Sequence, residues 1–247
     1  MNNQLKNLLV TRIAEHLRDC KHVAVGASSP IPAAAALVAQ AINPELRVSL
    51  LGSEKYTAFT DGGRELFDCA AQGRIDTFFL SGVQIDGQAN INLVGTGEYP
   101  AMQQRYAGSF GSAYLYHQVP RVILFCWAHS RKTLVDKVDF ISASGPKDDG
   151  VWRRGGPLVL LTDRCEFGWQ AKGRFVLNNL HPDETLQDIV ADTGFEFDVT
   201  AGGQAPSNYT SDSCAVVDTA ELLESVVLPK LEESYPQFVR RYLEAVD

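Results

Sequence analysis

The strongest pattern in this chain lies between Ile75 and Gly111, IDTFFLSGVQIDGQANINLVGTGEYPAMQQRYAGSFG. Its apolar start, Ile75–Leu80, is typical of a buried strand in an α/β sheet. Polar and apolar residues then alternate, which predicts polar side chains held on one face. Because ligands of open α/β sheets lie beyond the carboxyl ends of strands, four polar residues become candidates for a binding site: Gln84, Asp86, Asn90 and Asn92. A plain β-hairpin with turn glycines is the open alternative.

Apolar runs outside this stretch predict the rest of a sheet. Further strands are expected at His22–Gly26, Leu46–Leu51, Val122–Trp127, Val138–Ile141 and Leu158–Thr162, with a hairpin over Phe167–Leu177. Helical spacing and capping signals predict helices at Leu5–Leu17, Ala33–Ile42, Arg64–Gln72, Asp183–Thr193 and Thr219–Val246. In the fourth of these, Asp183 is the expected N-cap and Gly194 the expected C′ residue. This order predicts an α/β fold with an open, mainly parallel sheet and flanking helices.

Length and composition narrow the class of protein. The chain has 247 residues, 45% hydrophobic and 21% charged, and we expect one domain over 1–247 with a helical tail from about residue 219. A net charge of −8 argues against non-specific nucleic-acid binding. No apolar run approaches the roughly 20 residues of a membrane span. Five scattered cysteines and an amphipathic, charged N-terminus predict a reduced, cytoplasmic protein. The histidine spacing suggests no metal site.

Several segments resemble blocks of one enzyme family. Gly82–Asn92, GVQIDGQANIN, is similar to the G-A-Q-I-D-x-x-G-N-x-N block of class I CoA-transferase β subunits, of the glutaconate CoA-transferase type. Further blocks follow in the family's order: Gly108–Gly111, His129–Lys132, Lys137–Ser142, Gly156-Pro157, Val159–Asp163, Leu180–Pro182 and Thr193–Phe195. The resemblance runs from about Val23 to Phe197. It implies the CoA-transferase β-subunit fold, with coenzyme A bound as part of an acyl-CoA substrate and no permanent cofactor.

The resemblance also assigns roles to residues of this chain. Gly108, Ser109 and Gly111 stand in the family's G-x-G-G loop, which implies N–H donors for a developing oxyanion. Phe110 replaces a glycine of that loop. His129 and Arg131 align with an H-E-K-R block, where positive charge would bind CoA phosphates or a carboxylate. Solvated or subunit-contact charges are the alternative for this cluster.

The family's nucleophile is missing from its expected position. The family attacks the thioester with a glutamate carboxylate, and the resemblance places that glutamate at Leu51. Glu54 is three residues further on, about 10 Å along an extended chain, which makes it a poor substitute. Steroid ring-opening acyl-CoA hydrolases resemble CoA-transferases but take their glutamate from an α subunit. We therefore expect a hydrolase β subunit that works with an α-type partner. A conventional CoA-transferase and a non-catalytic CoA-binding subunit are the alternatives.

Overall fold

The computed structural model describes residues 3–27, 29–53, 55–147, 150–199, 207–208, 219–229, 231 and 240. The chain divides into two compact units, Met1–Phe79 with Ser211–Asp247, and Leu80–Thr210. The single domain expected from composition stays a prediction. Within the described ranges, no helix is long and apolar enough to cross a membrane.

The first unit is built on three parallel strands. Helices and strands alternate in the order α1 Asn3–His16, β1 His22–Val25, α2 Pro30–Ile42, β2 Arg47–Leu50, α3 Gly62–Ala71 and β3 Thr77–Leu80. The central strand β1 pairs in parallel with β2 and with β3. A helical segment near the C-terminus, Thr219–Leu222 continuing as a π-helix over Leu223–Val227, packs on α1 and α2.

Helix α2 is buried on every side. All residues from Ile31 to Ala39 are buried, as expected for a helix that is apolar all round. The helix begins at Pro30 rather than at the predicted Ala33. Proline is accommodated in a first helical turn because the N–H group that it lacks would have no partner there.

The second unit combines a mixed sheet with smaller strands. Its elements are β4 Gln84–Asp86, β5 Ile91–Asn92, β6 Gly95–Thr96, β7 Gln104–Arg105, α4 Ser112–Gln118, β8 Arg121–Cys126, β9 Leu134–Val135, β10 Gly156–Thr162, β11 Cys165–Gln170, β12 Arg174–Leu180, α5 Leu186–Asp192, β13 Asp198–Val199 and β14 Ser207–Asn208. β8 and β10 are parallel, β10, β11 and β12 are antiparallel neighbours, and β12 pairs in parallel with β13 and β14. Over the two units together, parallel pairs of described strands outnumber antiparallel ones, and the predicted α/β fold with flanking helices is confirmed.

One predicted strand is wrong. Val138–Ile141 is irregular, and the strand in this part of the chain is β9, which pairs in parallel with β4. The reason lies in the main chain, because the N–H group of Asp139 donates to the side chain of Gln84 at 2.9 Å instead of to a neighbouring strand. Apolar residues at this point reflect burial in a connection, not membership of the sheet.

The caps of helix α5 also differ from the prediction. The N-cap is Thr185, whose hydroxyl accepts a hydrogen bond from the N–H of Asp188 at 3.2 Å, whereas Asp183 has a positive φ of 67°. Gly194 follows the C-cap Thr193 and so stands at C′ as predicted, but its φ is not positive, so it is not an αL cap. A Cβ on Gly194 would lie 2.4 Å from the carbonyl oxygen of Leu134. Close approach of two backbone segments therefore explains this glycine.

Candidate active site

The polar hairpin, residues 84–92, is formed by β4 and β5. The strands are antiparallel, with Gln84 opposite Asn92 and Ile85 opposite Ile91. Both kinds of residue are buried: Gln84 is 7% exposed and Asn92 is fully enclosed, like the two isoleucines. The alternation of polar and apolar residues in the sequence therefore does not correspond to one solvent-exposed face and one buried face. Buried polar groups need hydrogen-bond partners inside the protein, and those partners define what each side chain does.

Asp86 and Asn90 close the turn of the polar hairpin. Asp86 Oδ1 accepts hydrogen bonds from the N–H groups of Gln88 and Asn90, each at 3.0 Å, and its Oδ2 accepts one from Asn90 Nδ2 at 3.0 Å. Asn90 Oδ1 accepts from the N–H of Gly145 at 3.0 Å. These contacts all lie within the protein. They make Asp86 and Asn90 the residues that shape the turn, and their contact with a substrate stays a prediction.

Gln84 and Asn92 form a second polar pair at the open end of the hairpin. Asn92 Nδ2 donates to Gln84 Oε1 at 2.8 Å, and the N–H of Asp139 donates to the same oxygen at 2.9 Å. Gln84 Nε2 makes no hydrogen bond to any described residue. Nothing in the sequence assigned different roles to the four polar residues. Their hydrogen bonds separate them into two pairs, Asp86 with Asn90 at the turn and Gln84 with Asn92 at the open end.

The glycine loop, residues 108–111, passes the end of β5. A Cβ on Gly108 would lie 2.2 Å from the carbonyl oxygen of Leu93, so only glycine fits there. Ser109 has a φ of 68°, a left-handed conformation that is uncommon for a non-glycine residue and concentrates at functional sites. Phe110 is 80% exposed, so its side chain does not crowd the loop from inside. The loop thus lies against the polar hairpin, and its role as a set of oxyanion donors stays a prediction.

Ser112, directly after the glycine loop, is a residue that sequence reasoning missed. Its hydroxyl is enclosed and has no hydrogen-bond partner among the described parts of the chain. Asp139 and Ser142 were missed as well. Ser142 Oγ donates to the carbonyl of Ile91 and accepts from the N–H of Leu93, both at 2.9 Å. The only indication of Asp139 and Ser142 in the sequence was the Lys137–Ser142 block, which resembles part of the family's sequence.

The coenzyme A transferase family model matches residues 50–192, more than half of the chain. The matched span contains the polar hairpin, the glycine loop and His129. The chain belongs to the coenzyme A transferase family. The family resemblance stated from the motifs is thereby confirmed.

Two curated relatives match about half of this CoA-transferase chain. One is the B subunit of the 3-oxoadipate CoA-transferase of Pseudomonas knackmussii, 31% identical over 130 residues that make up 50% of this chain and 50% of the relative. The other is the B subunit of the glutaconate CoA-transferase of Acidaminococcus fermentans, 28% identical over 131 residues, 49% of this chain and 48% of the relative. The chain thus spans about half the length of the curated relatives it matches.

Three solved structures share the fold over nearly the whole chain. The glutaconate coenzyme A-transferase of Acidaminococcus fermentans has a TM-score of 0.77 at 18% identity and covers 92% of this chain and 95% of its own. The decarboxylase AibA/AibB has a TM-score of 0.76 at 24% identity and covers 90% of this chain and 94% of its own. IpdAB of Rhodococcus jostii RHA1 has a TM-score of 0.74 at 17% identity and covers 92% of this chain and 94% of its own. At these identities the likeness concerns the fold alone.

Leu51, at the position expected for the family's glutamate, continues strand β2 of the CoA-transferase fold. Its N–H donates to the carbonyl of Val25 at 2.9 Å, and the N–H of Leu50 donates to the carbonyl of Tyr56 at 2.7 Å. The side chain of Leu51 is half-buried. Main-chain bonds therefore hold an apolar residue at the end of this strand. Glu54, the weaker candidate, lies outside the described residues.

His129 is buried and neutral. Its ring nitrogens lie 3.0 Å from Thr162 Oγ1 and 2.9 Å from Thr193 Oγ1. Burial, reinforced by the charge of Arg164, lowers the pKa of His129 to about 4. Exposed Arg131 donates from Nε to the carbonyl of Ala191 at 2.6 Å. A neutral imidazole adds no positive charge, and its partners Thr162 and Thr193 lie at the end of β10 and directly after α5. The predicted contacts of His129 and Arg131 with CoA stay predictions.

Lowering the pH from 6.5 towards 4 is expected to destabilise the protein through His129. The unfolded chain protonates this imidazole near its ordinary pKa of 6.5, whereas the pKa in the folded protein is about 4. Because only the unfolded state takes up the proton in this window, the free energy of unfolding falls by up to about 1.4 kcal/mol per pH unit. Urea unfolding at several pH values measures the slope, which should be shallower for His129→Gln. His22, whose pKa is also lowered by burial, affects both proteins equally. An identical slope for the variant would contradict the assignment.

Among the residues that the structure describes, no three His, Cys, Asp or Glu side chains are grouped as a metal ion would require. The described cysteines Cys20, Cys69, Cys126 and Cys165 are free thiols. Burial raises the pKa of Cys126 to about 12 and raises the pKa of Cys165 as well. Both thiols therefore stay protonated at neutral pH and are poor nucleophiles.

Proposed function

We propose that this chain is the β-type subunit of an enzyme that acts on acyl-CoA thioesters, in a hetero-oligomer whose α-type subunit supplies the catalytic carboxylate. Coenzyme A enters as part of the substrate, and no permanently bound cofactor is required. Membership of the coenzyme A transferase family supports the class of substrate. The names of the two curated relatives, each a B subunit, support an assembly of two kinds of subunit.

The observation that carries the proposal is Leu51. The family resemblance places the catalytic glutamate here, and a leucine can neither attack a thioester nor transfer a proton. The main-chain bonds of Leu50 and Leu51 hold this position at the end of β2, so a small shift along the chain would have to break them. This supports a catalytic carboxylate supplied by another chain.

The remaining site of this chain suits a supporting role in that chemistry. Attack on an acyl-CoA carbonyl places negative charge on its oxygen, and preorganised N–H donors stabilise that charge. The polar hairpin carries Gln84 Nε2, which has no hydrogen-bond partner among the residues described, and the glycine loop has a left-handed backbone conformation at Ser109. Both features lie in the second unit and are adjacent at Leu93.

For the reaction itself we propose a ring-opening acyl-CoA hydrolase of steroid breakdown, in which water is the acceptor. Two features support this choice: the nucleophile is missing from its family position in this chain, and Gly52-Ser-Glu54 resembles the Gly-Glu that follows this strand in the β chains of such hydrolases. A conventional transferase, which moves CoA to another carboxylic acid, is favoured by the names of the two relatives. The third candidate is a CoA-binding subunit without catalytic residues. Turnover in ¹⁸O-labelled water, with and without an added carboxylic acid, separates water from an acid as acceptor.

Glu54→Gln is expected to keep most of the activity of the complex with the α-type subunit. An amide retains the size of the side chain and much of its hydrogen bonding, so only a catalytic carboxylate at this residue would make the change severe. We expect borohydride or hydroxylamine trapping during turnover, followed by peptide mapping, to find no label between Gly52 and Thr57 of this chain.

The matched variant is Leu51→Glu, which restores a carboxylate at the family position. Placing that charge at a half-buried, apolar strand end raises its pKa and costs stability, so we expect a lower melting temperature and no gain in transfer. A label on Glu54 would overturn the proposal and return the chain to the conventional transferases.

A further inference from the structure

The orientation of the Gln84 amide is determined by the main chain. Its oxygen and nitrogen have nearly the same shape, so their assignment depends on their neighbours. One neighbour is the N–H group of Asp139, 2.9 Å away, which can only donate. The atom that faces it must be Oε1. Gln84 Nε2 therefore points away from Asp139.

The orientation of the Asn92 amide is determined in the same way. Asn92 Oδ1 accepts from the N–H groups of Val94 at 3.0 Å and Gly95 at 3.3 Å, and Nδ2 donates to the carbonyl of Gly95 at 2.7 Å. Three main-chain groups thus require Nδ2 on the side of Gln84. The same Nδ2 donates to Gln84 Oε1 at 2.8 Å. The backbone of residues 94 and 95 thus fixes the orientation of the Asn92 amide, and Asn92 in turn fixes the orientation of the Gln84 amide.

Among the four candidate site residues, these contacts leave Gln84 Nε2 as the open side-chain donor. It has no hydrogen-bond partner in the described parts of the chain, and it is not among their fully enclosed unpaired polar atoms. Because Gln84 is 7% exposed and its Nε2 is not fully enclosed, this donor reaches the surface over a small area. The side-chain polar atoms of Asp86 and Asn90 are bonded within the hairpin and to the N–H of Gly145, and Asn92 is fully enclosed.

We propose that Asn92 is a positioning residue that locks the Gln84 amide, so that only the two Nε2–H donors face the bound acyl-CoA. The group they receive is an oxygen with negative or partial negative charge, either the thioester carbonyl oxygen or a carboxylate of the acyl part. This rests on the proposed function. Without these contacts the Gln84 amide could also turn its Oε1 towards the substrate, and that atom would repel such an oxygen. The hydrogen bond from Asn92 excludes this orientation before the substrate binds. Preorganised donors are effective because they need no reorientation during the reaction.

A double-mutant cycle in the complex with the α-type subunit tests the lock. The substrates are acetyl-CoA, glutaryl-CoA and a cyclic keto-acyl-CoA derived from a steroid. Gln84→Ala removes the donors and is expected to lower kcat by about 100-fold to 1,000-fold. Asn92→Asp keeps the acceptor for the Val94 and Gly95 N–H groups but replaces the donor to Gln84. The new carboxylate would accept from Nε2 and turn the amide around, so we expect a comparable loss.

The double variant distinguishes positioning from a structural role. If Asn92 acts through Gln84, combining both changes lowers kcat no further than Gln84→Ala alone. Losses that multiply in the double variant overturn the proposal. Gln88→Glu is the matched control, because it makes the same kind of amide-to-carboxylate change on an exposed residue of the same hairpin. It should leave kcat unchanged, and a loss equal to that of Asn92→Asp would attribute the effect to charge and overturn the proposal.

A second measurement separates failure of the lock from failure of the proposed function. In the complex with only this chain labelled with ¹⁵N-glutamine, the Nε2 signals of Gln84 are identified by their disappearance in Gln84→Ala. We expect their ¹H–¹⁵N nuclear Overhauser effect to be that of a rigid group, unlike Gln88, and their shifts to move in Asn92→Asp. Mobility equal to that of Gln88, or unmoved shifts, overturns the proposal. A rigid, correctly oriented amide in a complex that turns over none of the three thioesters instead refutes the proposed function.

Discussion

Purified without an α-type subunit, this chain is expected to leave acyl-CoA substrates unchanged, and addition of that subunit should raise turnover from zero to its full value. The physical reason is the apolar Leu51 at the position of the family's carboxylate. Chromatography with mass detection of the acyl-CoA measures the effect. Full turnover by the highly purified single chain would show that the nucleophile lies on it after all.

The same assembly predicts which surface the partner covers. Four aromatic side chains between residues 99 and 114, around the glycine loop, are 39–80% exposed: Tyr99, Tyr106, Phe110 and Tyr114. Aromatic residues are enriched in protein interfaces, and permanent ones commonly bury about 2,000 Å² or more. We therefore expect the α-type subunit to cover this surface.

Phe110→Asp tests that assignment. The side chain is 80% exposed, so the change should leave the melting temperature of the isolated chain nearly unchanged while weakening co-purification with the partner and lowering turnover. Val190→Asp, at a 53% exposed position on helix α5, is the matched control and should do neither. Normal assembly of the Phe110→Asp variant with the partner would show that the interface lies elsewhere on this chain.

Asp86→Ala is expected to destabilise the protein by about 4 kcal/mol. The carboxylate accepts three hydrogen bonds, from the N–H groups of Gln88 and Asn90 and from Asn90 Nδ2. A hydrogen bond to a charged group contributes roughly 1.5–3 kcal/mol, and a buried donor left without a partner adds its own cost. Asp86 is 3% exposed, so water replaces the lost contacts poorly. Urea unfolding of the isolated chain measures the change without any need for substrate.

Gln84→Ala serves as the comparison for Asp86→Ala within the same hairpin. It removes a neutral acceptor, and Asn92 Nδ2 keeps its bond to the carbonyl of Gly95, so we expect a stability loss of about 1 kcal/mol. Asp86→Ala should thus act mainly on stability and Gln84→Ala mainly on activity. Equal stability losses for the two variants would contradict the division of the hairpin into Asp86 with Asn90, which shape the turn, and Gln84 with Asn92, which we propose present a donor to the ligand.

Local patterns were sufficient for much of the fold. The strands at β1, β2, β3, β8 and β10 fall within two residues of their predicted limits, because a buried strand needs a short apolar run that is visible in the sequence. The family was also recognisable from ordered blocks such as Gly82–Asn92. The same blocks located the polar hairpin and the glycine loop, and they identified Leu51 as the position without a carboxylate.

What the sequence by itself determined is therefore the fold class, the family and the positions of the polar residues in the hairpin. Only the tertiary structure decided what each polar residue does. Gln84 is oriented by Asp139, 55 residues further along the chain, and His129 is held by Thr162 and Thr193, 33 and 64 residues away. Hydrogen bonds are directional and short-ranged, so the partner of a buried amide or imidazole depends on which distant segment folds beside it. No local spacing encodes that choice.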